Sequence, residues 1–165
     1  MNFHTLLSGG SLLLAVAACS SVPVTAPEAP TSASALAQQG QTNSRKGLPP
    51  QTLAPGECGL FLWTRREQPS FVFFSRTGTE SASVWLDGQE VDAQRTSFGG
   101  DIFGQELTEQ GFSLPDGKEV QLNLSPGELL VGGQRIPEAT MTVIDLEGWK
   151  TMTPVAGVSV CQPQT

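Results

Sequence analysis

Three side-chain types in this 165-residue chain could do chemistry of their own: thiols, one imidazole and clustered carboxylates. The thiols are Cys19, Cys58 and Cys161, the only imidazole is His4, and tyrosine is absent. Acids cluster at Asp87, Glu90 and Asp92 and again at Asp145 and Glu147. Such groups could hold calcium through hard oxygen ligands, and a pair of carboxylates could serve a glycoside hydrolase. Acids at these spacings are also what a solvated strand or turn face carries, and we read them so. Gly99-Gly100 and Gly132-Gly133 fit no phosphate-cradling motif.

What the thiols and the imidazole can do depends on their surroundings. Cys19 closes the run Leu14-Ala15-Val16-Ala17-Ala18, an apolar stretch ending in small residues. The apolar segment is of signal-peptide length, about 7–15 residues, and too short for the roughly 20 that a membrane span needs. Val16-Ala17-Ala18-Cys19 resembles a bacterial lipobox, in which the cysteine is lipidated and becomes the first mature residue. An ordinary secretory signal cleaved beside a cysteine is the alternative. The n-region departs from the usual pattern, since His4 and the α-amino group replace Lys or Arg. The resemblance implies a signal peptide over residues 1–18 and a lipid on Cys19. Each buried methylene contributes ~0.8 kcal/mol, and two or more chains give stable attachment. Ser20, where an aspartate would retain the protein at the inner membrane, implies anchoring in the outer membrane of a bacterial envelope.

That reading decides the remaining chemistry. With lipid on Cys19, the resemblance leaves Cys58 and Cys161 to pair in a compartment where disulfides persist. His4 leaves with the signal, so the mature chain has no Ser-His-Asp or Cys-His catalysis and no His-ligated zinc. No cofactor or metal is expected, and binding is expected rather than catalysis.

Two segments must position these groups. Residues 19–57 comprise the lipidated cysteine and a stretch rich in Pro, Ala, Ser, Thr and Gln, which reads as a disordered tether. About 38 flexible residues reach ~30–35 Å on average. Residues 58–165 read as one β domain closed by Cys58–Cys161, long enough for one core. Residues 59–64 and 71–75 are continuously apolar, and Ala82, Val84 and Leu86 alternate with Ser81, Ser83 and Trp85. Asp87-Gly88 then turns the chain into a strand over residues 89–96, a strong hairpin signal. Pro115-Asp116-Gly117 leads into Val120, Leu122 and Leu124, and residues 130–134 form a further tight hairpin. Ala139, Met141 and Val143 alternate with Thr140 and Thr142 before a turn at residues 145–148 leads into Trp149. Closing strands run to Cys161, broken by Pro154 and Gly157. The fold class expected is all-β: a small antiparallel barrel or sandwich of about eight short strands. A disulfide requires neighbouring Cα atoms, so first and last strands should meet, which favours a barrel.

Most aromatic residues are expected in the core. Trp85 falls out of phase with Val84 and Leu86, and so faces either a second packing layer or a binding surface. The net charge of −7 excludes nucleic acid as a partner and suits a basic protein, although solubility alone accounts for charge of this size.

The lipobox, the tether and the acidic β domain together resemble the membrane-bound inhibitors of c-type lysozyme. Val84-Trp85-Leu86-Asp87-Gly88 is similar to that family's strand ending in Leu-Asp-Gly. The family's Ser-Gly-x-x-Tyr loop is replaced here by Gly99-Gly100-Asp101-Ile102-Phe103, and its Lys-Gly-Asp-Glu motif is met only loosely by Asp116-Gly117-Lys118-Glu119. The resemblance therefore implies the fold and not the activity. Trp85, Asp101 and Lys118 are the candidate partner-binding residues. The expected function is a non-catalytic, lipid-anchored envelope protein that binds a protein partner or has a structural role. A lysozyme-type inhibitor with a diverged loop is the alternative.

Overall fold

A computed structural model describes residues 46–164. The lipobox, Cys19 and the tether up to Arg45 lie outside the described residues. The strands are β1 (Cys58–Thr64), β2 (Phe71–Arg76), β3 (Ser81–Leu86), β4 (Gln89–Phe103), β5 (Glu106–Ser113), β6 (Glu119–Ser125), β7 (Leu129–Leu130), β8 (Gly133–Ile144) and β9 (Lys150–Cys161). They pair antiparallel in the order β6-β5-β4-β3-β2-β1-β9-β8-β7, and β6 also pairs with β8. That extra ladder closes eight strands into a barrel and leaves β7 as a short appendage on β8. Of the two all-β architectures open from sequence, the chain adopts the barrel, which leaves its eight ring strands no free edge.

The lumen is filled by alternate residues of each strand. Leu60, Leu62, Phe73, Val84, Phe112, Val120 and Leu122 are all buried there. Phe73 meets Phe112 edge to face at 5.2 Å between ring centroids, a geometry that contributes ~0.5–1.5 kcal/mol beyond area burial. Between β3 and β4, Asp87 and Gly88 have φ of 51° and 84°. This is the doubly left-handed turn whose twist matches the strands it joins.

Not all aromatic residues join this core. The β1–β2 ladder shifts register between Leu62 and Trp63, which gives β2 an extra residue there. Val72 and Phe73 thereby both belong to the core, while Phe71 and Phe74 pack with Phe61 and Trp63 on the outer wall. This outer layer explains a difference from the expected tether. Residues 46–57, expected as the last part of a disordered tether, form a strap along the wall. Leu48 is buried, and its N–H donates to the Phe71 carbonyl at 2.7 Å. Gly47 must be a glycine at this approach, because a Cβ would lie 2.7 Å from the Phe71 oxygen. Farther along, the Arg76 guanidinium donates to the Thr52 carbonyl at 3.2 Å, and the Gly56 N–H donates to the Gln162 carbonyl at 2.9 Å.

Two strands are longer than expected. β9 is continuous through Pro154 and Gly157. The Pro154 carbonyl accepts from the Arg65 N–H at 3.0 Å, so its nitrogen faces the side where β1 has already ended at Thr64. The ring therefore removes no β1–β9 ladder donor. Gly157 lets β1 come close, since a Cβ would collide with the Phe61 carbonyl. β4 was expected to stop at residue 96 but runs to Phe103, bent by register shifts between Arg95 and Ser97 and between Gly99 and Ile102. The bend brings the β4–β5 tip back over one end of the barrel. There Phe103 joins the core, and buried Glu106 accepts hydrogen bonds from the Thr77 hydroxyl (2.5 Å) and the Gln110 amide (3.1 Å). That end is closed.

Cys58 and Cys161 form a disulfide at the same end, joining register partners on β1 and β9. First and last strands do meet, as expected of this pair.

Candidate functional site at the barrel mouth

The opposite end carries the β1–β2, β3–β4, β5–β6 and β8–β9 turns and opens into a recess of about 620 Å³. Its volume is in the range of small-ligand sites. Val72, Leu86, Met141 and Val143 form an apolar floor continuous with the core. Thr151 and Thr153 on β9 stand opposite Val143 and Met141 and add hydroxyls to the same surface.

Trp85 and Trp149 both line the recess. In the ring, β3 and β8 are four strands apart in either direction, so Trp85 at the end of β3 and the turn after β8 stand on opposite rims. Trp85 is half-buried and packs against the core. It is a packing residue that also lines an open recess. Trp149 is 74% exposed. Its backbone is held by Asp145, whose Oδ1 accepts from the N–H groups of Glu147 (3.0 Å) and Trp149 (2.9 Å), while the Asp145 N–H donates to the Trp149 carbonyl at 3.0 Å. The turn is completed by Gly148 at φ 88°.

Lys118 lies between two acids at the rim. Its Nζ is 3.0 Å from Asp116 and 3.4 Å from Asp87, tying the β5–β6 turn to the β3–β4 turn. The hydrogen bond from Lys118 holds the Asp116 carboxyl below its ordinary value, and Asp116 first, then Asp87, raises the Lys118 ammonium. Arg66 and Lys46 also line the recess.

Of the residues singled out in the sequence, the fold brings Trp85 and Lys118 to one mouth and leaves Asp101 elsewhere. Asp101 is exposed on the bent arm of β4, toward the closed end, where its N–H donates to the Thr108 hydroxyl at 2.8 Å. In the stretch compared with the inhibitor loop, Phe103 is only 6% exposed and turns into the barrel. Asp87 and Asp145, noted as acids, serve an ion pair and a turn. Trp149 was expected in the core. Its place directly after a four-residue turn was the available signal that it stands at the surface.

No protein-family model, no curated protein and no solved structure matches this chain.

Proposed function

We propose that this chain is a non-catalytic binding protein of the bacterial envelope, held to the membrane by lipid on Cys19, with the barrel mouth as its docking site. The observation that carries the binding role is Trp149, an exposed tryptophan on a turn fixed by its own hydrogen bonds, across the mouth from Trp85. A large aromatic side chain presented by a rigid backbone loses little entropy when a partner covers it, which is why tryptophan is enriched where binding energy concentrates. Leu146, exposed in the β8–β9 turn beside Gly117 of the β5–β6 turn, extends the apolar rim. Val16-Ala17-Ala18-Cys19 supports the anchor.

Cross-linking in envelope fractions tests the docking site. The wild-type chain should capture a partner that Trp149→Ala loses at equal expression and unchanged thermal midpoint. An identical captured set would remove the mouth from the reading.

Inhibition of a lysozyme-type glycan hydrolase is the second reading. The eight-stranded barrel and the acidic charge favour it, since lysozyme is basic. Burial of Phe103 weighs against inhibition through residues 99–103. Full hen lysozyme activity in the presence of high micromolar mature chain would exclude it.

A further inference from the structure

We propose that the barrel mouth binds an acidic saccharide, a sugar bearing a carboxylate. This rests on the reading of the mouth as a binding site and assigns its ligand class.

Three features of the recess carry the assignment. The first is its shape. Below the floor the lumen is occupied by Val84, Phe73 and Phe112, all fully buried, so the recess does not continue into the barrel. A long acyl chain has no channel to enter. A ring-shaped ligand that lies across the opening fits.

The second feature is the chemistry of the walls. A sugar has apolar C–H faces and a belt of hydroxyls at its edge. Trp85 and Trp149 offer aromatic faces on opposite rims for the former. For the latter, Ser70, Thr151 and Thr153 offer hydroxyls that, among the described residues, are engaged in no side-chain hydrogen bond. Each hydroxyl can donate and accept, which suits a ligand whose own groups do both.

The third feature is charge. Three of the chain's nine Lys and Arg residues line this recess, against two of its sixteen acids, in a chain of net charge −7. With Asp116 paired to Lys118 at the rim, the mouth comes close to charge balance in a domain that is otherwise acidic. Lys118 is committed to Asp116 and Asp87, but among the described residues neither Lys46 nor Arg66 makes an ion pair. Arg66 leaves the β1–β2 loop as a planar fork that can meet a carboxylate in two hydrogen bonds. A neutral sugar would leave both cations without use.

The test is titration of the full chain in detergent with tetragalacturonate, read by tryptophan fluorescence and calorimetry. Neutral N-acetylglucosamine tetramer and myristate serve as comparison ligands. Tetragalacturonate should bind saturably and at least about tenfold more tightly than the neutral tetramer, a difference of about 1.4 kcal/mol. Trp149→Ala, at an exposed position that leaves the fold intact by circular dichroism, should weaken binding of both sugars. Arg66→Gln should remove the preference for the acidic one. Equal affinity for both tetramers would overturn the acidic assignment, and tighter binding of myristate would overturn the saccharide. No sugar binding, with envelope cross-links still lost in Trp149→Ala, would sink the ligand class and leave the docking site standing.

Discussion

Cys58 and Cys161 are direct cross-strand partners on β1 and β9, with Cα atoms 3.9 Å apart. The bond lies at the seam where the two ends of the domain's chain meet, and it closes a loop of 103 residues that contains the whole barrel. The β1–β9 ladder of seven register pairs holds the same seam without it. The covalent link and the ladder are thus redundant in the native state and differ in the unfolded one.

From that difference, the Cys58→Ser/Cys161→Ser protein should still fold but lose stability. The chain-entropy argument puts the loss at up to about 4.7 kcal/mol for a loop near 100 residues. Guanidinium unfolding of the oxidised wild type and the double variant measures it. An unchanged midpoint would mean that the disulfide contributes nothing through the unfolded chain.

The strap should come away from the wall without unfolding the barrel. Leu48→Ser removes one buried apolar side chain, worth about 1.5–3 kcal/mol, from a segment with few other anchors. Limited proteolysis should then cut within residues 46–57 well before the barrel is lost. Equal protease resistance in variant and wild type would contradict the role given to Leu48.

Lys118 and Asp116 set a pH window. A depressed carboxyl contributes stability above its ordinary 3.8 and loses it as pH falls through the lower folded value. A raised ammonium contributes below 10.5 and loses it as pH rises through the higher folded value. The difference in thermal midpoint between wild type and Lys118→Gln should therefore be flat from about pH 5 to about pH 9 and shrink outside both limits. Both groups are open to solvent, so the difference is small. A slope near neutrality would point to another group.

Cys19→Ala should move the protein from the membrane to the soluble fraction, because one lipid-bearing residue supplies the anchor under the lipobox reading. Retention of the variant on membranes would end that reading.

Features governed by neighbours in the chain were legible in the sequence. Val120, Leu122 and Leu124 alternate with polar residues, and all three are buried on β6. Asp87-Gly88 marked its own turn. The strap was not legible, because residues 46–57 are rich in Pro and Gly and Leu48 is held by an aromatic face built on β1 and β2. Pro154 and Gly157 look like breaks until the end of β1 and the approach of Phe61 are known. The mouth was the least legible part. Trp85, Lys118 and Trp149 sit on three different hairpins, and only closure of the ring through β6 and β8 brings them around one mouth.

The path of the strap has a mechanical consequence. From Lys46, beside the open mouth, the strap crosses the outer wall before it enters β1 at the closed end. A pull applied at Lys46 therefore loads the strap's few hydrogen bonds one after another, like a peeled tape. Peeling twelve residues releases roughly 40 Å of extended chain. Beyond that length the load meets Cys58, which is covalently fastened to the last strand, so tension passes across the seam instead of unzipping it. The strap is a shock absorber in series with a barrel that force cannot easily open.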